Sequence, residues 1–366
     1  MRCLEFQPEK KYKMSDLKCC VVSCDRPLNA AYWEAQYEAK TTGWDLGQVS
    51  PPIQMYADTV ADKNSRILIP GCGNSYEAEY LLKQGFSNIT VIDIAPSPVS
   101  FLKEKCKNNP NIQILLGDFF EHKGKYDLII EQTFFCALPP TMRQKYVWKM
   151  HQLLAEEGIL SGLLFNRMFE SGPPFGGSKE EYEKLFTAAF EFIKMDLSEN
   201  SIAPRASSEL CIELKKNSQV VVNLYALEGI TYSESIETLT EKLLAIDGVL
   251  NVSISGNFAD VLLVSKNEIT IETLQQVIAF DEKYTIKKIN SYSFFRKKMK
   301  ALLFTNWHVM RWVRLVFALF LFAQAYILKE KMFIALGLFF FVQVIFNLGC
   351  GANGCSIPNN KYTKNE

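Results

Sequence analysis

Between Ala30 and about Asn217 short apolar runs alternate with stretches of helical periodicity. Arg66–Pro70 (RILIP) reads as a buried strand, Tyr76–Gln84 as a helix and Asn88–Ile94 (NITVIDI) as a second strand. Pro98–Asn108 is helical, Ile112–Leu116 a third strand and Tyr126–Glu131 (YDLIIE) a fourth. A helix around Thr141–Ala155 and a fifth strand at Gly158–Phe165 (GILSGLLF) follow. Strands separated by helices of about ten residues imply βαβ units, and so a doubly wound parallel sheet over residues 29–217.

Lys215–Ser218 reads as a linker, and residues 218–292 as a small unit of their own. Val220–Ala226, Val249–Ser255, Asp260–Ser265 and Tyr284–Asn290 have strand character, while Ser235–Ile246 and Ile271–Phe280 have helical character. That order, β-α-β-β-α-β, is the ferredoxin-like α+β arrangement. Residues 293–308 form a basic linker (Arg296, Lys297, Lys298, Lys300). Two apolar runs follow, 309–328 and 332–348, split by Lys329-Glu330-Lys331. Each is near the lower length limit for crossing a bilayer of about 30 Å. Apolar side chains around the full helix circumference favour a transmembrane helical hairpin over a buried or interfacial one. The preceding basic residues place its starting side, and hence residues 1–308, in the cytoplasm, as part of a multi-pass inner-membrane protein. The tail 349–366, with Cys350 and Cys355, then returns to the cytoplasmic face.

Composition adds limits. At 366 residues two or three domains are expected, and 48% hydrophobic content allows sizeable cores. Forty Lys+Arg balance forty Asp+Glu, so no global basic field points to nucleic acid. The ten cysteines form no CxxC pair, and charged Met1–Lys13 lacks the apolar core of a secretory signal. Free thiols in a reducing compartment follow. Cys19, Cys20 and Cys24 could bind a soft metal, but no histidine lies near them, and no metal site is assigned. Residues 1–28 read as an irregular charged segment in which Met14 is an alternative start.

The candidate chemistry begins where the first strand runs into Gly71-Cys72-Gly73-Asn74. Glycines at a strand's carboxyl end let backbone approach a ligand closely, though a tight turn needs them equally. Asp93 ends the second strand. An acid there can accept from two ribose hydroxyls, or cap the helix that follows. Asp118 and Phe119, after the third strand, could meet an adenine amino group and cover its ring; Asp118 reads equally as a surface acid. Upstream, Tyr32, Trp33, Tyr37 and Trp44 are either ordinary helix packing or an aromatic lid for a cation, which ring faces attract. Trp44-Asp45-Leu46-Gly47 followed by Pro51-Pro52 is a stiff turn that could fix such a lid.

Together YWEAQYEAKTTGWDLG, ILIPGCGNSYEAEYLLKQGF, VIDIAPS, GDFFE, YDLIIEQTFFCALPPTMR and SGPPFGGS, in that order over Ala30–Leu214, resemble the thiopurine S-methyltransferase family. The similarity is greatest to its branch of plant thiol and halide methyltransferases. The resemblance implies a class I, Rossmann-like methyltransferase fold with S-adenosylmethionine as donor. It also implies donor contacts at Trp33, Tyr37, Trp44, Gly71, Asp93, Asp118, Phe119 and Gln132. Tyr37 stands where the family often has a second tryptophan. Gln132 stands where mammalian members have arginine and the plant branch tyrosine, which argues against thiopurine acceptors. Gly172-Pro173-Pro174-Phe175 is expected to close an acceptor pocket with Phe134 and Phe135 as its wall. Glu131, Asn166 and Arg167 are polar candidates beside it, and His122 and His151 are structural.

GITYSESIETLTEKLLAIDGVLNVSIS resembles heavy-metal-associated domains, but Tyr232 and Ser235 replace the two metal-binding cysteines, leaving an interaction module. The apolar hairpin and its C-x₄-C tail resemble two-helix inner-membrane domains found beside bacterial sulfur-handling proteins. The expected protein is thus a membrane-tethered methyltransferase acting on a small soft nucleophile: a thiol, sulfide, halide, or selenium or tellurium species. The alternative is a membrane-anchored scaffold that binds donor, metal or sulfur without turnover.

Overall fold

In the computed structural model, which describes residues 28–230, 234–279, 284–289, 309–329 and 331–346, the chain opens with helices α1 (Ala30–Glu38) and α2 (Pro51–Thr59). Then come β1 (Ile67–Pro70), α3 (Tyr76–Lys83), β2 (Ile89–Asp93), α4 (Pro96–Lys105), β3 (Ile112–Leu116) and β4 (Tyr126–Gln132). A single turn α5 (Phe134–Ala137), α6 (Arg143–Leu153), β5 (Leu154–Phe165), α7 (Lys179–Phe186), β6 (Phe190–Leu197) and β7 (Glu209–Lys216) complete the first sheet.

Its seven strands run β3-β2-β1-β4-β5-β7-β6. Strands β1 to β5 are parallel. The wholly parallel sheet expected from the sequence is corrected here, because β7 inserts between β5 and β6 and pairs antiparallel with both. Neither β6 nor β7 stands out as a crossover unit, since a hairpin closing a sheet needs no intervening helix.

Every residue of β1 and β2 is buried, as expected for strands with helices on both faces. Ile67, Ile69, Ile89 and Val91 pack with Ile53 and Ala57 of α2, Leu81 of α3 and Leu102 of α4. Fully burying such a side chain contributes roughly 1.5–3 kcal/mol. An aromatic cluster brings α5, α6 and α7 together, with Phe135 edge-on to Tyr146 at 4.9 Å and to Tyr182 at 5.4 Å. Between β1 and β4 the winding reverses, so the carboxyl ends of β1, β2 and β4 open on a crevice, the usual ligand position in such sheets.

A second sheet follows, from β8 (Val221–Glu228), α8 (Glu234–Leu244), β9 (Val249–Ile254), β10 (Asp260–Ser265), α9 (Ile271–Ile278) and β11 (Thr285–Lys288). It is antiparallel, in the order β11-β8-β10-β9. Leu239 and Leu243 of α8 and Leu274 and Ile278 of α9 pack on Tyr225, Leu227, Val261 and Leu263. Strands β8 and β10 also pack against α6, where the Gln144 side chain donates to Ser253 Oγ at 3.1 Å and the Ile254 carbonyl at 3.3 Å. This explains why a polar helix (RQKYVWKMHQL) is buried along almost its entire length. Lys149 donates to the His122 carbonyl at 2.6 Å, and burial lowers its pKa to about 8.

Both sheets fall within the unit Met1–Lys288; the second unit is Ile289–Glu366. There α10 (Val309–Leu328) and α11 (Lys331–Phe346) form a hairpin, with Phe317 edge-on to Phe340 at 4.9 Å. Gly337 admits the Phe322 ring, whose Cε1 a methyl group would approach to 2.7 Å. The expected transmembrane helices, 309–328 and 332–348, are corrected: among the described residues no helix is long and apolar enough to cross a membrane. The uncharged part of α10, Leu315–Leu328, spans about 21 Å at 1.5 Å per residue, short of a bilayer's roughly 30 Å. Cys3, Cys19, Cys20, Cys24, Cys350, Cys355 and Tyr232 lie outside the described residues, and the backbone of Ser235 falls in α8.

Candidate active site

β1 is stopped by two left-handed glycines, Gly71 (φ +56) and Gly73 (φ +52). A methyl group on Gly71 would lie 2.2 Å from Phe134 Cδ2, and one on Gly73 2.9 Å from the Tyr37 hydroxyl oxygen. Both positions therefore need glycine for conformation and for clearance. The turn is held from β2, where the Asp93 carboxylate accepts from Gly73 N–H at 2.9 Å and from Ala95 N–H at 2.8 Å. Asp93 is 8% exposed, and burial raises its pKa against the opposing pull of these N–H groups. The two roles open in the sequence, loop cap and ligand contact, are compatible: Asp93 lines the crevice, and each carboxylate oxygen can accept more than the one N–H it takes here.

Opposite the turn stand the aromatic residues. Trp44 meets Trp33 edge-on at 5.4 Å and Tyr37 at 5.9 Å. Burial raises the Tyr37 pKa, keeping its hydroxyl neutral. This layer is tied down at several points. Glu34 accepts from Ser97 N–H at 2.9 Å, joining α1 to α4. Asp45 accepts from Gly47 N–H at 2.8 Å and from the Asn74 amide. Arg205, paired with Glu209 at 3.1 Å, reaches back to the Trp44 carbonyl at 2.8 Å. Neither Glu34 nor Arg205 stood out in the sequence. The contacts that tie them to this layer, Glu34 with Ser97 and Arg205 with Trp44, join residues distant along the chain, and no local pattern marks them.

At the far edge Asp118 accepts from Phe120 N–H at 2.8 Å, and Phe119 packs edge-on to Phe134 at 5.2 Å. Beyond β4, Gln132 Oε1 is buried without a hydrogen-bond partner among the described residues. All eight residues singled out for the donor (Trp33, Tyr37, Trp44, Gly71, Asp93, Asp118, Phe119 and Gln132) line one cavity of about 640 Å³. Phe134, Pro173, Pro174 and Arg167 line it too.

Several neighbours do not. Phe135 is fully buried in the aromatic cluster, so it is not part of the acceptor wall. Asn166 accepts from Lys179 N–H at 3.1 Å. His122 pairs with the Tyr126 hydroxyl at 2.6 Å, and His151 with the Asn217 carbonyl at 3.0 Å. Burial holds the His151 pKa down at about 4, so the ring is neutral.

Glu131 is fully buried, accepting from Phe135 N–H at 3.0 Å and bonded to the Tyr146 hydroxyl at 2.5 Å. It positions the turn that carries Phe134. Burial raises its pKa from 4.5 to about 7. Within that window the folded chain holds a proton that the unfolded chain has released, so this group's contribution to stability falls as pH rises and levels off above it. Glu131→Gln, which has no proton to lose there, should show a smaller fall in Tm than wild type between pH 5 and 8. Parallel slopes in a thermal-melt pH series would refute this.

A parallel five-strand core closed by an antiparallel β7, with a glycine turn after β1 and an acid ending β2, defines the class I S-adenosylmethionine-dependent methyltransferases. Residues 28–222 match the family model for thiopurine S-methyltransferase (TPMT), and the chain belongs to that family. Probable thiol methyltransferase 2 of Arabidopsis thaliana is 36% identical over 193 residues, 51% of this chain and 85% of that protein. Thiocyanate methyltransferase 1 of Brassica oleracea is 28% identical over 192 residues, 50% of this chain and 84% of its own. Thiopurine S-methyltransferase of Acinetobacter baylyi is 28% identical over 187 residues, 44% and 84% respectively. The chain is thus a methyltransferase whose donor is S-adenosylmethionine. The residues present fit that donor: a glycine cradle, an acid with lone pairs to spare, an aromatic cover, and a buried amide oxygen with no partner among the described residues.

Proposed function

We propose that this methyltransferase acts on a small soft nucleophile, of which a thiol is the leading case. The observation that carries this is the lining of the cavity. Among the described residues it contains no histidine, cysteine or lysine, and its two carboxylates, Asp93 and Asp118, follow β2 and β3 on the donor's side, where each accepts from a backbone N–H. On the acceptor's side no side chain is therefore placed as a general base. The suitable acceptor is one that ionises unaided, and a thiol with a reference pKa near 8.5 is already partly thiolate at neutral pH.

When bound, the donor supplies a methyl group activated on a sulfonium. Asp93 and Gly71, beside the Gly73 turn, would hold the adenosyl part, and the Trp33–Tyr37–Trp44 layer would lie against its positive charge. Phe134, Phe169, Pro173 and Pro174 supply an apolar surface for the acceptor. The acceptor's proton has gone to water beforehand. With the donor bound, the acceptor's sulfur would supply the electron pair for the new bond to carbon, and the pair of the bond broken would remain on the donor's sulfur. Charge is consumed, so exclusion of water and alignment are the protein's main contributions.

The acceptors for which the relatives are named, thiols and thiocyanate, support this reading. Its test is incubation of the full chain with methyl-labelled S-adenosylmethionine and hydrosulfide, small thiols, thiocyanate, iodide and selenide. At least one should yield a methylated product. Binding of S-adenosylhomocysteine with no product from any of them would reject the proposal.

A further inference from the structure

Resting on that reading of the cavity as an acceptor site, we propose that Arg167 sets acceptor specificity by pairing with a carboxylate on the substrate, making small mercaptocarboxylates the preferred acceptors. Within residues 28–230 there are four arginines. Three have a carboxylate partner: Arg66 with Asp127, Arg143 with Glu181, and Arg205 with Glu209. Arg167, on the cavity wall, has no such partner among the described residues.

Its position is held from two sides. The Arg167 carbonyl accepts from Gly177 N–H at 3.1 Å, and a methyl group on Gly176 would fall 1.6 Å from that same oxygen. The guanidinium carbon lies 4.8 Å from the centre of the Phe169 ring. A guanidinium stacked on a ring keeps its in-plane N–H donors for a second partner, and its fork matches a carboxylate.

The same lining limits what that partner is. Asp93 and Asp118 each accept from backbone N–H groups, and neither is paired with Arg167. Arg167 follows β5, in the segment that also brings Phe169, Pro173 and Pro174 to the cavity, whereas the donor-holding residues come from α1, its following turn and the ends of β1 to β4. The unbalanced positive charge therefore lies on the acceptor's side. Arg167 does not touch the reacting sulfur; it orients the anionic end of the substrate.

The test compares 3-mercaptopropionate with 3-mercaptopropanol, which differ at the carboxylate alone. Binding of each to the full chain saturated with S-adenosylhomocysteine is measured by calorimetry for wild type, Arg167→Met and Arg167→Lys. Wild type should prefer the carboxylate by about tenfold, in line with a charge-assisted hydrogen bond. Arg167→Met should remove that preference and Arg167→Lys retain part of it. An unchanged preference in Arg167→Met overturns the assignment. So does an equal loss of S-adenosylhomocysteine affinity, which would place Arg167 on the donor's carboxylate instead. Turnover separates this proposal from the one beneath it. A binding preference that depends on Arg167, without methylation of either thiol, rejects the thiol reaction and leaves the anion site. Methylation of both with selectivity unaltered in Arg167→Met does the reverse.

Discussion

Asp93→Ala is expected to weaken S-adenosylhomocysteine binding by about a hundredfold or more and to lower Tm at the same time. The carboxylate is 8% exposed and accepts from the N–H groups of Gly73 and Ala95. Alanine leaves both donors buried and unpaired, and each unsatisfied buried group costs roughly 1–3 kcal/mol. The glycine turn loses the contact that sets its position over β2, and the ligand loses an acceptor for its ribose. A loss of about 2.8 kcal/mol in binding is already a hundredfold. Asp93→Asn should fall between, because its amide offers one acceptor oxygen but turns an NH₂ toward an N–H. Calorimetry with a parallel thermal melt reads both effects. Wild-type affinity in a folded Asp93→Ala protein would remove the aspartate from the binding site.

The second large effect lies in the sheet rather than the crevice. Gly162→Ala should destabilise the chain by more than about 4 kcal/mol, the range reserved for backbone collisions and lost core packing. Gly162 of β5 is in register with Glu131 of β4. A methyl group there would lie 1.9 Å from the Glu131 carbonyl oxygen and 2.6 Å from its carbonyl carbon. Neither strand can yield, since β4 is held by β1 and β5 by β7. The ladder would part next to Glu131 and Gln132, so donor binding should fail with the fold. Gly256→Ala, with nothing within 4 Å, is the control and should leave Tm nearly unchanged. A Gly162→Ala protein melting within a few degrees of wild type would show that the strands separate more easily than their pairing implies.

Much of the crevice was readable along the chain because its parts are short-range. The glycine turn follows its strand directly, Asp93 ends the next strand, and Asp118 with Phe119 comes just after the third. In a parallel sheet the carboxyl ends of neighbouring strands meet, so βαβ order alone brings these residues together. Gln132 came from a resemblance rather than from spacing, and its buried, unpartnered oxygen became visible only in the folded chain. Glu131, its neighbour, stood in the sequence as a polar candidate beside the acceptor pocket. Strand alternation turns it into the core instead, where Tyr146 and Phe135 engage it.

Periodicity and turn chemistry were enough to specify where strands and helices form and which strand ends carry glycine and acid, since these depend on neighbours a few residues away. They could not specify that β7 would enter the sheet antiparallel, that Arg205 would reach Trp44 across 161 positions, or that a second sheet would bury the polar helix α6. They also read the C-terminal hairpin as transmembrane, whereas no helix among the described residues is long and apolar enough to cross a membrane. Those features arise from contacts between segments far apart in the chain. Pairing, burial and unbalanced charge, including that of Arg167, exist only once the folded backbone has brought such segments together.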